Sequence, residues 1–408
     1  MKIIEITPIT PASQNIRGTS AIQYHLLVHR PKDVEVEIYS FNNNHLSDDK
    51  IKEVEQELSS KIHIISQPKW IDVVLKLHLL FVRVFLKYPI FNYIKLSQNI
   101  VDEIMGKQPD GIWIYGQDTS RITRQFPNVP RVHTLPDSEA LYYYRMLGQR
   151  FVFIDWKSYL RNAIMYPKYT RMEHNYPVGK DIHYHLVGDA DVRFLRNNNT
   201  AIDAHFLRHP HYDISEPKKQ IKFSQPKIKL LIAGQYNLYM KQSADELVDA
   251  MCGDVAKQLS NHYAITILGK GWENIVSRLQ NEGYEVNHIR FADDYIEEIK
   301  KHDIQLTPIA IGTGTKGKVL DALANGLLVI GTYYALENIA VESGESCIEY
   351  HSAEDAINAL LDIPANISKY EQMAELGRQA VLTEHNRAKA SDALLYFFEN
   401  KPYYNGEL

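Results

Sequence analysis

Short apolar runs alternate with amphipathic stretches along the whole chain, and this alternation limits most tightly what the chain can fold into. Lys2–Ile6, Val34–Ser40, Lys61–Ser66, Gly111–Tyr115 and Arg131–Leu135 read as strands, with helical patterns between several of them, as over Ser47–Ser59. Thr200–Pro226 is poor in aliphatic residues, carries Pro210, Pro217 and Pro226, and reads as a linker. A second series follows: Ile228–Ala233 ending in Gly234, Tyr263–Leu268 ending in Gly269, Val286–Ile289, Ile304–Ile311 and Leu327–Gly331. A short helix with Asp293 as N-cap precedes Ile304, and a helix after the loop Gly312–Lys318 runs to Asn325 with Gly326 just past its end. Strands separated by helices form parallel sheets. The chain therefore reads as two doubly wound α/β domains, 1–210 and 226–408, with a last helix near Ala390–Asn400 that can cross back to the first. Its 408 residues suit two cores of roughly 200 residues each. Ligands of such sheets bind at the carboxyl ends of the strands.

Composition narrows the function. With 45% apolar and 23% charged residues the chain is globular, and a formal net charge of −5 argues against nucleic acid. Cys252 and Cys347 are its two cysteines, so it has neither a disulfide framework nor a thiolate metal cage, which fits a reducing, cytoplasmic setting. The first residues read as a strand and not as a signal peptide, and no run is long and apolar enough to span a membrane.

The segment Gly312-Thr313-Gly314-Thr315-Lys316-Gly317-Lys318-Val319 satisfies parts of several phosphate-binding patterns. As an NTPase loop it fails at Val319, which has no hydroxyl for Mg²⁺. As a dinucleotide fingerprint it comes too late in the chain, and Glu337 is poorly placed for a ribose. The shared physics survives: glycines admit a ligand to the backbone, the helix that follows offers N–H groups and a positive dipole end, and two lysines add charge. The bland alternative, a tight turn with solvated lysines, is weaker here because both lysines flank Gly317 beside further small residues.

A wider window is more specific. Gly312-x-Gly314-x-Lys316-x-Lys318-x-Leu320-Asp321-Ala322-x-Ala324-x-Gly326, then Val329-Ile330 and Glu337-x-Ile339, resembles the donor-site signature of GT-B fold glycosyltransferases of the retaining group 1. Leu231–Gly234 resembles that family's first C-domain strand and turn, Leu268–Gly271 its second, and Tyr295–Pro308 the segment entering the donor loop. Upstream, Pro11–Leu27 with Gly18 resembles the N-domain glycine loop and first helix; Pro109–Trp113, Pro130–Arg145 and Tyr184–Leu195 follow in order. The family often carries two glutamates here; this chain has Thr313 at the first position and Asp321 at the second.

The resemblance implies two Rossmann-like domains facing a cleft and transfer of a sugar from a nucleoside diphosphate sugar to a hydroxyl of a glycan or lipid-linked acceptor, with no cofactor. Lys316 and Lys318 would neutralise the departing diphosphate, helped by the helix start at Gly314–Lys316, and Asp321 would hold the ribose. Gly18, Gly234, Lys241, Gly269, Thr313, Gly314, Thr315 and Val319 would line the nucleotide sugar. Asp137, in a loop where many relatives carry a catalytic histidine, would touch the reacting sugar, with His133 as its rival and a plain turn role as the alternative. A sugar-nucleotide epimerase of the same architecture, or a silent binding protein encouraged by Thr313, are the competing functions.

Three other features each admit two readings. Asp189-Ala190-Asp191 is a DxD, which could hold a divalent cation against a diphosphate, but a helix start explains it better. His183 and His185 share a strand face, as do His209 and His211 if that segment is extended; lacking a clear carboxylate partner they read as surface or core histidines, and no metal site is assigned. In Trp70–Lys87, Asp72, Lys76, Arg83 and Lys87 form one narrow helical stripe in an otherwise apolar stretch. A peripheral membrane contact and a buried helix with a thin wet edge explain it equally well.

Overall fold

The computed structural model describes residues 1–15, 19–148, 155–211 and 220–399. Two compact units result: one of Met1–Gly148, Trp156–Pro210 and Arg387–Leu408, the other of Gln149–Asp155 and His211–Asn386. The last helix, Arg387–Tyr396, belongs to the first unit, where Ala390, Leu394 and Leu395 join a core cluster with Ile3, Leu26 and Trp113. It starts before the expected Ala390 and ends at Tyr396; Asn400 lies outside the described residues.

Among the described residues, unit 1 holds seven strands: β1 Lys2–Thr7, β2 Glu35–Ser40, β3 Lys61–Ile64, β4 Gly111–Tyr115, β5 Arg131–Leu135, β6 Ile182–Leu186 and β7 Ala204–Phe206. All pairings are parallel, in the order β3-β2-β1-β4-β5-β6-β7. Helices cover both faces of the central strands, so every residue of β4 and β5 is buried, including the polar Arg131, His133 and Thr134 of β5. β7 falls inside the expected linker Thr200–Pro226. It is only three residues long and carries little aliphatic signal, yet it extends the sheet, where the Tyr184 amide donates to the Asp203 carbonyl (2.8 Å).

Unit 2 has β8 Ile228–Ala233, β9 Tyr263–Leu268, β10 Glu285–Ile289, β11 Ile304–Thr307, β12 Leu328–Thr332 and β13 Ile348–Tyr350, in the order β10-β9-β8-β11-β12-β13. Successive residues of β8 feed opposite layers: Leu230 and Ile232 join one core cluster, Leu231 and Ala233 the other. β11 stops at Thr307, short of the expected Ile311. Pro308 has no N–H to continue the ladder, and the Ala310 amide turns to the Tyr239 carbonyl (2.7 Å). The helix before β11 is capped by Asp294, one residue beyond the expected Asp293, with its Oδ1 accepting from the Glu297 amide (3.0 Å).

In both units the chain leaves the central strand pair to opposite sides, between β1 and β4 and between β8 and β11. These are the switch points at which doubly wound sheets bind ligands.

Candidate active site

At the carboxyl edge of unit 2, the turns after β8 and β9 are held against each other by glycine. Gly234 and Gly269 have φ of +146° and +149°, and a Cβ on Gly269 would fall 1.9 Å from the Gly234 carbonyl oxygen. That carbonyl also accepts from Trp272 Nε1 (2.8 Å). Lys241 opens the helix Lys241–Met251 and is half-buried.

The glycine-rich loop lies beyond the next strand. Gly314 takes φ +61°, and its carbonyl accepts from Asn338 Nδ2 (3.1 Å). Lys316 folds back on the loop: its ammonium donates to the carbonyl oxygens of Thr313 (2.8 Å) and Gly314 (2.9 Å). The same residue is the N-cap of the helix Gly317–Ala324, so the helix begins at Gly317 and not within Gly314–Lys316. Val319, Leu320, Ala322, Leu323 and Ala324 anchor that helix in the core. Burial of each leucine contributes about 1.5–3 kcal/mol. Val319 is fully buried, and its amide donates to the Lys316 carbonyl (2.9 Å). Thr313 and Thr315 are half-buried.

Lys318 and Asp321 are one helical turn apart. Lys318 is exposed as a residue, and its ammonium sits 3.9 Å from the centroid of the Tyr295 ring. Burial lowers its pKa and the carboxylate of Asp321 opposes that shift. Asp321 Oδ1 lies 3.4 Å from Nε2 of His211, which is buried. The Tyr295 hydroxyl is buried without a hydrogen bond among the described residues, and burial with the field of Asp321 pushes its pKa well up. Sequence reasoning assigned neither Tyr295 nor His211 a role at Asp321, because they lie far from it along the chain.

In unit 1, Gly18 lies outside the described residues. Asp137 is at the carboxyl end of β5, where its Oδ1 accepts from Gln117 Nε2 (2.5 Å). His133, its rival, is a core residue: fully buried, with Nε2 donating to the Gly116 carbonyl (2.6 Å) and its pKa pushed down to about 4 by burial. A histidine held neutral inside a strand is not placed to meet a substrate.

The carboxyls gathered around Asp137 were not legible in the sequence, because elements distant along the chain supply them: Asp118 from the 3-10 turn Gln117–Thr119 and Glu173 from the helix Trp156–His174. Burial raises Asp118 to about 7. It raises Glu173 to about 8, although Glu173 accepts from Ser138 Oγ (2.9 and 3.0 Å) and the Ala140 amide (3.0 Å). Asp118 lines a cavity of about 170 Å³ with Arg83, Phe91, Tyr143, Lys168 and Tyr169.

Both aspartates of the DxD have structural partners. Asp189 starts the helix Asp189–Asn198 and pairs with Arg193 (3.1 Å), while buried Asp191 accepts from the Ser138 amide (2.8 Å). The Trp70–Lys87 stretch is not one helix. It forms Lys69–Lys76 and Leu80–Phe85, broken at His78 with φ +50°.

Residues 227–366 match the family model described as glycosyl transferases, group 1. No curated protein matches the chain. Several solved structures share its fold over nearly the whole length. HepE from Anabaena, in complex with UDP, is 11% identical, with 98% of this chain and 100% of that one covered and a TM-score of 0.61. Sucrose-phosphate synthase from Thermosynechococcus elongatus is 13% identical, with 98% of each chain covered and a TM-score of 0.62. WaaG, a glycosyltransferase involved in lipopolysaccharide biosynthesis, is 12% identical, with 97% of this chain and 99% of that one covered and a TM-score of 0.54. The chain thus has the GT-B fold, and residues 227–366 form a group 1 glycosyl transferase domain, which makes it a glycosyltransferase.

Proposed function

We propose that this glycosyltransferase moves a sugar from a nucleoside diphosphate sugar to a hydroxyl of a glycan or lipid-linked saccharide, with retention and without a metal at the diphosphate. The observation that carries this reading is the start of the Gly317–Ala324 helix: Lys318 over Tyr295, Asp321 one turn on, and Lys316 bracing the loop ahead of it. HepE structures with UDP and with UDP-glucose support a nucleotide-sugar donor.

As the sugar C1–oxygen bond breaks, its electron pair passes to the β-phosphate oxygen. Lys318 and the helix-start amides meet that charge as it develops. Lys316 acts on the loop, holding the carbonyls of Thr313 and Gly314. Asp321 accepts the ribose hydroxyls, with His211 and Tyr295 fixing its setting. Gly234, Gly269 and Lys241 line the nucleotide, and Asp137 is the unit 1 candidate for a polar contact to a sugar. The acceptor hydroxyl loses its proton to the departing phosphate as the new bond forms.

The acceptor reading rests on the surface formed by Lys69–Lys76 and Leu80–Phe85. Trp70, Val73, Leu77, Phe81 and Val84 are exposed there and Phe85 is 86% exposed, with Lys76, Arg83 and Lys87 beside them. Such a face suits the headgroup region of an anionic membrane, on the cytoplasmic side. No helix among the described residues is long and apolar enough to cross a membrane.

A panel of nucleotide sugars tested for thermal stabilisation checks the donor assignment. A true donor at a hundred times its Kd adds about 2.7 kcal/mol. A panel in which none raises Tm would overturn the reading.

A further inference from the structure

On one face of the two last strands of the first sheet, four polar side chains form a grid. His183 and His185 alternate on β6; Asp203 and His205 lie beside them on and just before β7, with His185 directly opposite His205. His183 Nδ1 donates to one carboxylate oxygen of Asp203 (2.5 Å) and His205 Nε2 to the other (2.7 Å). One ligand atom from each of these three residues lies within 4.8 Å of the others. The carboxylate absent from the sequence pattern around His183 is thus supplied by the neighbouring strand, twenty residues later.

We propose that His183, Asp203 and His205 form a binding site for Zn²⁺ or a similar first-row divalent ion. Two imidazoles and one carboxylate form a donor set that suits such an ion, whereas Ca²⁺ and Mg²⁺ favour oxygen ligands alone. In tetrahedral geometry with bonds of about 2.0–2.2 Å, ligand atoms stand roughly 3.3 Å apart. The two nitrogen–oxygen pairs are closer than that, each imidazole meeting a different oxygen of Asp203 through a proton, while the three ligand atoms together lie within 4.8 Å. Replacing those protons with a metal needs only small side-chain rotations, and a water would complete the shell.

The surroundings fit this use. Asp203 is partly open to solvent, which gives an ion a route in, while the two histidines are mostly covered. Phe397 walls one side, with its ring centroid 5.0 Å from His183 and 4.8 Å from His205. Behind lies His185, fully buried, with neither ring nitrogen hydrogen-bonded among the described residues. The bound ion would staple β7, three residues long, to β6 and so protect an edge that would otherwise fray. None of these residues belongs to the donor loop, so the role is structural and separate from glycosyl transfer.

The test uses the full chain, stripped with EDTA and dialysed free of metal. Calorimetric titration with Zn²⁺ at pH 7.5 is expected to show one tight equivalent per chain, with a matching rise in Tm. Asp203→Asn and His205→Gln should each weaken binding at least about a hundredfold, beyond the tenfold to hundredfold lost with an outer-shell partner. X-ray absorption at the zinc edge of the wild-type protein needs no variant and should show two imidazoles with oxygen in the remaining positions. Failure of the folded wild type to take up one equivalent, or a zinc shell without two imidazoles, overturns the site. Binding that survives unchanged in both folded variants places the metal on other histidines and overturns it equally.

Discussion

Asp321 and Lys318 sit on one helix face but meet different parts of the proposed donor. The ribose is chemically the same before and after reaction, so losing a carboxylate that accepts its hydroxyls removes uniform binding. Hydrogen bonds to a charged group contribute about 1.5–3 kcal/mol, so Asp321→Ala should raise the donor KM roughly ten- to hundredfold and leave kcat nearly unchanged, in steady-state kinetics on folded protein. A fall in kcat with unchanged KM would remove Asp321 from the ribose. Glu173 offers a pH test. Its folded-state pKa of about 8 lies above the usual carboxylate range of the unfolded chain. Between those values the folded form keeps a proton that the unfolded form has lost, so this group's contribution declines as pH climbs toward about 8 and levels off above it. Wild-type Tm should therefore fall from pH 5 to 9 more than that of Glu173→Gln, by a few degrees on a scale of about 2–4 °C per kcal/mol. Parallel curves would show Glu173 to be ionised throughout. Lys316 marks a limit of sequence reading at this scale. The motif supplies two cations, and only the folded loop reveals that one of them is held by the carbonyls of Thr313 and Gly314.

Elements were legible where burial imposed a pattern. β4, β8 and β9 match the expected bounds residue for residue, because a strand covered on both faces is largely apolar and its turn follows at once; β5 matches too, although Arg131, His133 and Thr134 are buried within it. The Ser47–Ser59 pattern is likewise a helix from Asp48 to Leu58 with those serines as its caps. Legibility failed where one local event outweighed periodicity: Pro308 shortened β11, and the left-handed turn at His78 split the Trp70–Lys87 stretch in two. That split leaves several large apolar side chains in solvent, which a helix buried between neighbours would not do. If this face meets a membrane, the protein should co-sediment with anionic vesicles and be released as salt rises. Each basic residue near such a surface contributes about 1 kcal/mol, so replacing Lys76, Arg83 and Lys87 with glutamine should weaken partitioning about a hundredfold and leave donor affinity intact. Indifference of the wild type to vesicles would show that another partner covers the face. The Asp189–Asn198 helix carries its own prediction. Asp189 is held by Arg193 and Asp191 by the Ser138 amide, so Asp189→Ala should keep at least half of wild-type turnover. Inactivity rescued by Mn²⁺ would return the DxD to the chemistry.

Across the molecule, the two sheets repeat one winding, and their switch points could be expected from the alternation of strands and helices alone. The sites at those points were unequally legible. In unit 2 the proposed lysine loop and Asp321 lie within one continuous segment, Gly312–Asp321, so their spacing can be read, whereas Tyr295 and His211 lie elsewhere in the chain. In unit 1, Asp118, Asp137 and Glu173 come from separate elements, a 3-10 turn, a loop and a helix, and nothing local in the sequence joins them. The central claim is that unit 2 transfers a sugar by meeting the diphosphate's growing charge with Lys318 and a helix start. Release of nucleoside diphosphate by the full chain, in EDTA at 25 °C, measures this directly for wild type and Lys318→Ala. Wild type should keep its rate in the chelator, with any loss of a stapling metal appearing in Tm. Lys318→Ala should lose roughly a hundredfold or more in kcat, the scale of one preorganised donor. A folded Lys318→Ala protein that turns over at the wild-type rate would contradict the account.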